Sequence, residues 1–125
     1  MAKQKSAYVD GFVLVVPKKN LPAYKKMAQK AGKIWRKYGA LDYKECVGDD
    51  LKTEWGVPFP KLVRLKNNEL VVFSYVTYRS RAHRDRVNAL VMKDPFMNDA
   101  EYKDKPMPFD VKRMVYGGFK VLVDG

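Results

Sequence analysis

The residue most out of place in this chain is Asp10, a carboxylate inside the apolar run YVDGFVLVV from Tyr8 to Val16. A buried carboxylate must be paired or hydrogen-bonded, or its pKa rises. Arg113 or a tyrosine hydroxyl is the expected structural partner, and a ligand is the alternative. Tyr43 and Glu45 are two residues apart and so share one face of a strand. Glu45 is expected to pair with a base on an edge strand or to serve a ligand. His83, the only histidine, falls in the first turn of a helix on its inward side. A helix N-terminus disfavours the imidazolium, so a neutral ring is expected, either packed and satisfied or acting as a general base or ligand contact. Asp10, Tyr43, Glu45, Tyr75, His83, Arg113 and Tyr116 are together the candidate polar groups of a small-ligand site near the sheet. Each stands where an apolar sheet would do without it. Arg79, Arg81, Arg84 and Arg86 surround His83; they could hold an anion, or be solvated or paired with Asp85. Cys46 alternates with Glu45 and is expected to be a buried, inert thiol on the opposite side. Gly117-Gly118 reads as a bulge or a close backbone approach.

A second feature is charge. Twenty-five basic residues against 14 acidic ones give +11. Lys25, Lys26, Lys30, Lys33 and Lys37 recur at near-helical steps, and no acid lies between Pro17 and Leu41. Such a stripe is a solubility surface or a contact for phosphates. Without interleaved aromatics, nucleic-acid binding through Lys26, Lys30 and Lys33 would be sequence-blind. The chain has no GxxxxGK[ST] or GxGxxG loop and no GxSxG elbow. One histidine and one cysteine cannot make a His/Cys zinc site within one chain. The cofactor is left open, and so is whether the protein is an enzyme.

The elements that must position these residues follow from periodicity. Tyr8 to Val16 is an apolar strand ended by Pro17. Asn20 can cap a helix with Pro22 in its first turn, and Leu21, Tyr24, Ala28, Ala31, Trp35 and Tyr38 make one face that stops at Gly39. Leu41 to Val47 is strand two and Glu69 to Tyr78 strand three. Ser80 caps a second helix with His83, Val87, Leu90 and Val91 inside, ended at Asp94-Pro95. Arg113 to Val123 is strand four. The order is the ferredoxin-like β-α-β-β-α-β arrangement, an α+β sandwich with strands one and three central. Strands two and four carry the charges expected of edges. The connections 49–68 and 95–112 are long. They carry Trp55 and Phe59, and Phe96, Met97, Tyr102, Met107 and Phe109, which need cover from a lid, a subunit contact or their own domain.

The 125 residues suit one α+β domain, with its core over about 7–124. A single cysteine fits a reducing compartment. The apolar run Gly11–Val16 is too short for a signal peptide or a membrane span. A cytoplasmic protein without membrane contact is expected. Strands one and three are apolar on both faces. Val9, Val13 and Val15 are expected to face the helices. Tyr8, Phe12, Leu14, Phe73, Tyr75, Met114 and Tyr116 are expected on the open face. Two helices cover only one side of the sheet, so a homodimer through the open face is expected.

YVDGF (Tyr8–Phe12), AGKIWRKYGALDYKECVGDD (Ala31–Asp50), FSYVTYRSRAHRDRVNALVMKDP (Phe73–Pro95) and MPFDVKRMVYGGF (Met107–Phe119) together resemble the YbaA-like family of small bacterial proteins of unknown function. The resemblance runs from about Tyr8 to Asp124. It implies a dimeric α+β barrel and no particular activity. Residues and resemblance together lead to two expectations. One is a homodimer with a small-ligand pocket near the sheet, with catalysis left open. The other is a basic nucleic-acid-binding module acting through the first helix.

Overall fold

The computed structural model describes residues 5–99 and 105–125. Its elements are β1 (Tyr8–Pro17), α1 (Leu21–Lys37), β2 (Asp42–Val47), the single turn α2 (Phe59–Leu62), β3 (Glu69–Tyr78), α3 (Arg81–Met92) and β4 (Val115–Lys120). The strands form one antiparallel sheet in the order β2-β3-β1-β4. The two most apolar strands are therefore central and the charged ones are edges, the ferredoxin-like α+β arrangement. β4 is shorter than its sequence pattern suggests, and Arg113 precedes it in a 3-10 turn.

Helix boundaries follow local chemistry. Gly39 takes φ +116°, a conformation open mainly to glycine, and turns the chain out of α1. The Ser80 Oγ accepts from the His83 backbone N–H at 3.0 Å and starts α3. Asn20 stands at the N-cap of α1, but its side chain makes no capping bond. Its Nδ2 donates instead to the Pro108 carbonyl, tying α1 to the last connection.

Packing corrects the expected choice of faces. Leu14, Val16 and Val72 pack beneath Tyr24 and Ala28 of α1, while Tyr8, Val76 and Tyr78 pack against Val87 and Val91 of α3. The even positions of β1 thus face the helices. Val13, Val15 and Val71 look the other way, where Leu51, Val63 and Leu65 from the connection before β3 cover them. Tyr116 stacks on Phe12 on the helix side at 4.7 Å, and Met114 joins the α1 cluster. Of the side chains expected on the open face, Phe73 and Tyr75 are there. Leu90, expected inside, is exposed.

The connection before β3 covers only part of the open face. The remainder is a trough of about 490 Å3 floored by Gly11 and Gly117, which are register partners, and bordered by Val9, Phe73, Tyr75, Val115 and Phe119. Phe73, Val115 and Phe119 are exposed there. Cys46, expected to be buried, is also exposed, as the register partner of Phe73.

Candidate functional site

The polar candidates fall into separate groups. Glu45 lies on the helix-facing side of β2 and is bonded by two phenols. Tyr24 of α1 donates to its Oε1 and Tyr43 to its Oε2, each at 2.6 Å. The expected pairing of Glu45 with a base is thus replaced by two neutral hydroxyls. Burial, with the Glu45 charge beside them, pushes both phenols well above the ordinary tyrosine range, so both stay protonated.

This cluster touches two spaces. One is an open groove of about 700 Å3 between α1 and β2, rimmed by Lys25, Lys33 and Arg36. The other is an apolar cavity of about 260 Å3 between α1, the sheet and the connection before β4, lined by Phe12, Met27, Trp35, Phe109 and Met114, among others. Ser74 also lines the cavity. It is 3% exposed and is the register partner of Glu45. Its hydroxyl has no hydrogen-bond partner among the described residues. Sequence reading passed over Ser74 and Tyr24. A lone serine between Val72 and Val76 on the buried side of an apolar strand was the available signal.

The chain carries a family assignment that fits this architecture. The model of the family described as a protein of unknown function (DUF1428) matches residues 7–111. The chain belongs to the DUF1428 family. It is 42% identical over 117 residues to the uncharacterized protein YbaA of Escherichia coli strain K12, covering 94% of this chain and 97% of that one. YbaA of Shigella flexneri matches to the same extent. A crystal structure from an uncultured marine organism, described as a dimeric ferredoxin-like protein, superposes with a TM-score of 0.57. It has 12% identity and covers 95% of this chain and 99% of its own. That likeness shows the fold.

The other candidates of this DUF1428 chain lie apart from the cavity. Asp10 is 2% exposed. Its Oδ1 accepts from Arg84 Nη1 of α3 at 2.7 Å, so Arg84 takes the place expected of Arg113. The Arg84 guanidinium also lies over the Tyr8 ring, 5.0 Å from its centroid, and its Nε donates to Asp85. Gly118 passes so close to Tyr8 Oη and Arg84 that a Cβ there would collide with them. Burial raises the Asp10 pKa, and Arg84 opposes the rise. Burial and the Asp10 charge likewise raise Tyr116, placing it in the same surroundings. Arg113 is held by Glu69 and Asp110 and also donates to the Arg64 carbonyl. Tyr75 lies in the trough on the opposite face.

His83 is buried and hydrogen-bonded at Nδ1. Its Nδ1 accepts from the Arg79 backbone N–H at 3.0 Å, and its other nitrogen meets the Gly39 backbone. The ring therefore ties the start of α3 to the turn after α1. Burial, followed by the Arg79 and Arg86 charges, lowers its pKa from 6.5. The unfolded chain then binds the proton more readily than the folded one. The stability that this neutral ring contributes is complete above about pH 6.5 and is lost as pH falls through the window below it. The thermal midpoint is expected to drop between about pH 7.5 and 5.5, and less steeply in His83→Asn. Parallel slopes in circular-dichroism melts would remove His83 as the cause.

The lysine stripe divides between two sides of α1. Lys33 rims the groove with Lys25 and Arg36, whereas Lys26 and Lys30 each have an interaction within the chain. Among the described residues, no cluster of three or more His, Cys, Asp or Glu could hold a metal ion. No helix there is long and apolar enough to cross a membrane. Tyr102 lies outside the described residues.

Proposed function

We propose that this protein is a homodimeric small-molecule-binding domain, with one ligand site in each copy between α1 and the sheet. The observation that carries the ligand site is Ser74. A buried hydroxyl without a partner costs about 1–3 kcal/mol, and this one, which has none among the described residues, opens into an apolar cavity beside the doubly bonded Glu45 carboxylate. A few polar groups converging in an apolar pocket is the usual form of a small-ligand site. Tyr43 and Glu45 remain the sequence candidates for it, with Tyr24 and Ser74 added.

The dimer rests on the trough. It is apolar and exposed: the Phe119 ring lies over Gly11 and Gly117, and Phe73 and Val115 border it without cover. A second copy about a two-fold axis covers both troughs at once. The neighbouring structure described as dimeric supports the same reading.

The ligand site is tested by fluorescence. Trp35 lines the cavity and Trp55 is exposed, so a Trp55→Phe background reports on Trp35. Single-ring aromatics such as phenol, toluene and 2-phenylethanol should include at least one that changes Trp35 emission saturably. Ala31→Leu, which fills the cavity wall, should abolish the change while leaving the circular-dichroism spectrum intact. A flat response across the panel would retire the site.

A further inference from the structure

The hydrogen-bond inventory of the cavity points to a ligand class, and this inference rests on the ligand site proposed above. A phenol has one proton to donate, and a carboxylate has none when ionised. Tyr24 and Tyr43 have both committed their protons to Glu45. What the cluster can still offer is lone pairs, on the two carboxylate oxygens and the two phenol oxygens. It is an acceptor surface carrying one negative charge. Freeing a phenol to donate to a ligand would leave a Glu45 oxygen without its bond.

We infer that the cavity takes a small apolar amine, with its protonated nitrogen at Glu45 and its hydrocarbon body among the aromatic and methionine side chains. A primary ammonium has three N–H donors. Glu45 and the Ser74 hydroxyl, register partners on β2 and β3, can both accept from it. The walls suit the rest of such a molecule. Phe12, Trp35 and Phe109 line it with aromatic rings, and Met27 and Met114 adapt to shape. At roughly 30 Å3 for a water-sized unit, a cavity of about 260 Å3 accommodates on the order of ten non-hydrogen atoms. That is the size of one ring bearing a short aminoalkyl chain.

The overall charge of the chain makes the inference discriminating. At +11 the protein as a whole attracts anions and repels cations. A preference for an amine over an acid of the same shape must therefore come from the local carboxylate.

The test is isothermal titration calorimetry of the full chain at neutral pH with 2-phenylethylamine, 2-phenylethanol and 3-phenylpropionate. The amine is expected to bind at least tenfold more tightly than the alcohol, and the acid more weakly than either. In Glu45→Gln, which keeps an acceptor for one phenol but removes the charge, amine affinity should fall to that of the alcohol while alcohol binding persists. Circular dichroism of the same variant checks the fold. If the alcohol or the acid matches or exceeds the amine, the amine assignment is overturned and the cavity remains a ligand site. If none of the three binds, both fall. If the amine preference survives in Glu45→Gln, Glu45 is not its source and the inference is wrong.

Discussion

Phe73→Glu is expected to reduce the solution mass from about twice the 14.5 kDa chain mass to that mass. Phe73 is 44% exposed in the isolated chain and borders the trough on the open sheet face, so the fold does not depend on covering it. In a two-fold dimer the substitution puts two carboxylates into an apolar interface. Each uncompensated ion costs several kcal/mol in such surroundings, and about 4 kcal/mol already weakens association a thousandfold. Light scattering on a sizing column at micromolar concentration reads the change, and circular dichroism checks that the monomer is folded. Trp55→Glu is the control. Trp55 is 85% exposed and is not part of the trough, so its variant should keep the mass of the parent. A dimer that survives Phe73→Glu would move the interface to another surface.

The largest effect expected on folding itself is at Arg84. Its guanidinium is the ionic partner of Asp10, whose side chain is 3% exposed. Arg84→Met keeps most of the aliphatic stem and leaves a carboxylate buried under α3, beside β4, without its cation. Breaking a buried pair from one side typically costs about 3–5 kcal/mol, a large share of the 5–15 kcal/mol that holds a domain together. The reverse change should be milder. In Asp10→Asn the guanidinium keeps its bond to Asp85, and the expected loss is about 1–3 kcal/mol. Urea midpoints of the two variants measure the difference. Equal losses, or a greater loss in Asp10→Asn, would mean that the pair is more open to solvent than its geometry indicates.

The topology was legible because strand length and composition carry it. The β3 pattern ELVVFSYVTY coincides with the strand, and charge marked β2 and β4 as edges. The choice of faces was not legible from hydrophobicity, because β1 is apolar at both parities. Val9, Val13 and Val15 look as suited to a core as Tyr8, Phe12 and Leu14. The residue that determines parity is Asp10. Its counter-ion sits on α3, so the positions sharing its face turn toward the helices. Three arginines in α3, Arg81, Arg84 and Arg86, set against the glycine at position 11, carried that information in a form that apolar patterning ignores. The cavity was half legible. Tyr43 and Glu45 declared themselves by spacing, whereas Tyr24 was counted only as core because its ring is apolar and its hydroxyl reaches beyond the helix face. Arg113 was assigned to a strand when Asp110, three residues earlier, had already fixed it in a turn.

Cys46 gives the open face a chemical clock. It is the only cysteine in the chain, it is exposed, and its register partner is Phe73. A thiol reagent therefore labels one position, next to the surface on which the proposed dimer depends. Reaction at Cys46 requires access from that side of the sheet. The rate of alkylation thus reads how often the face is uncovered, and its dependence on protein concentration gives the association constant without a column or a mutation.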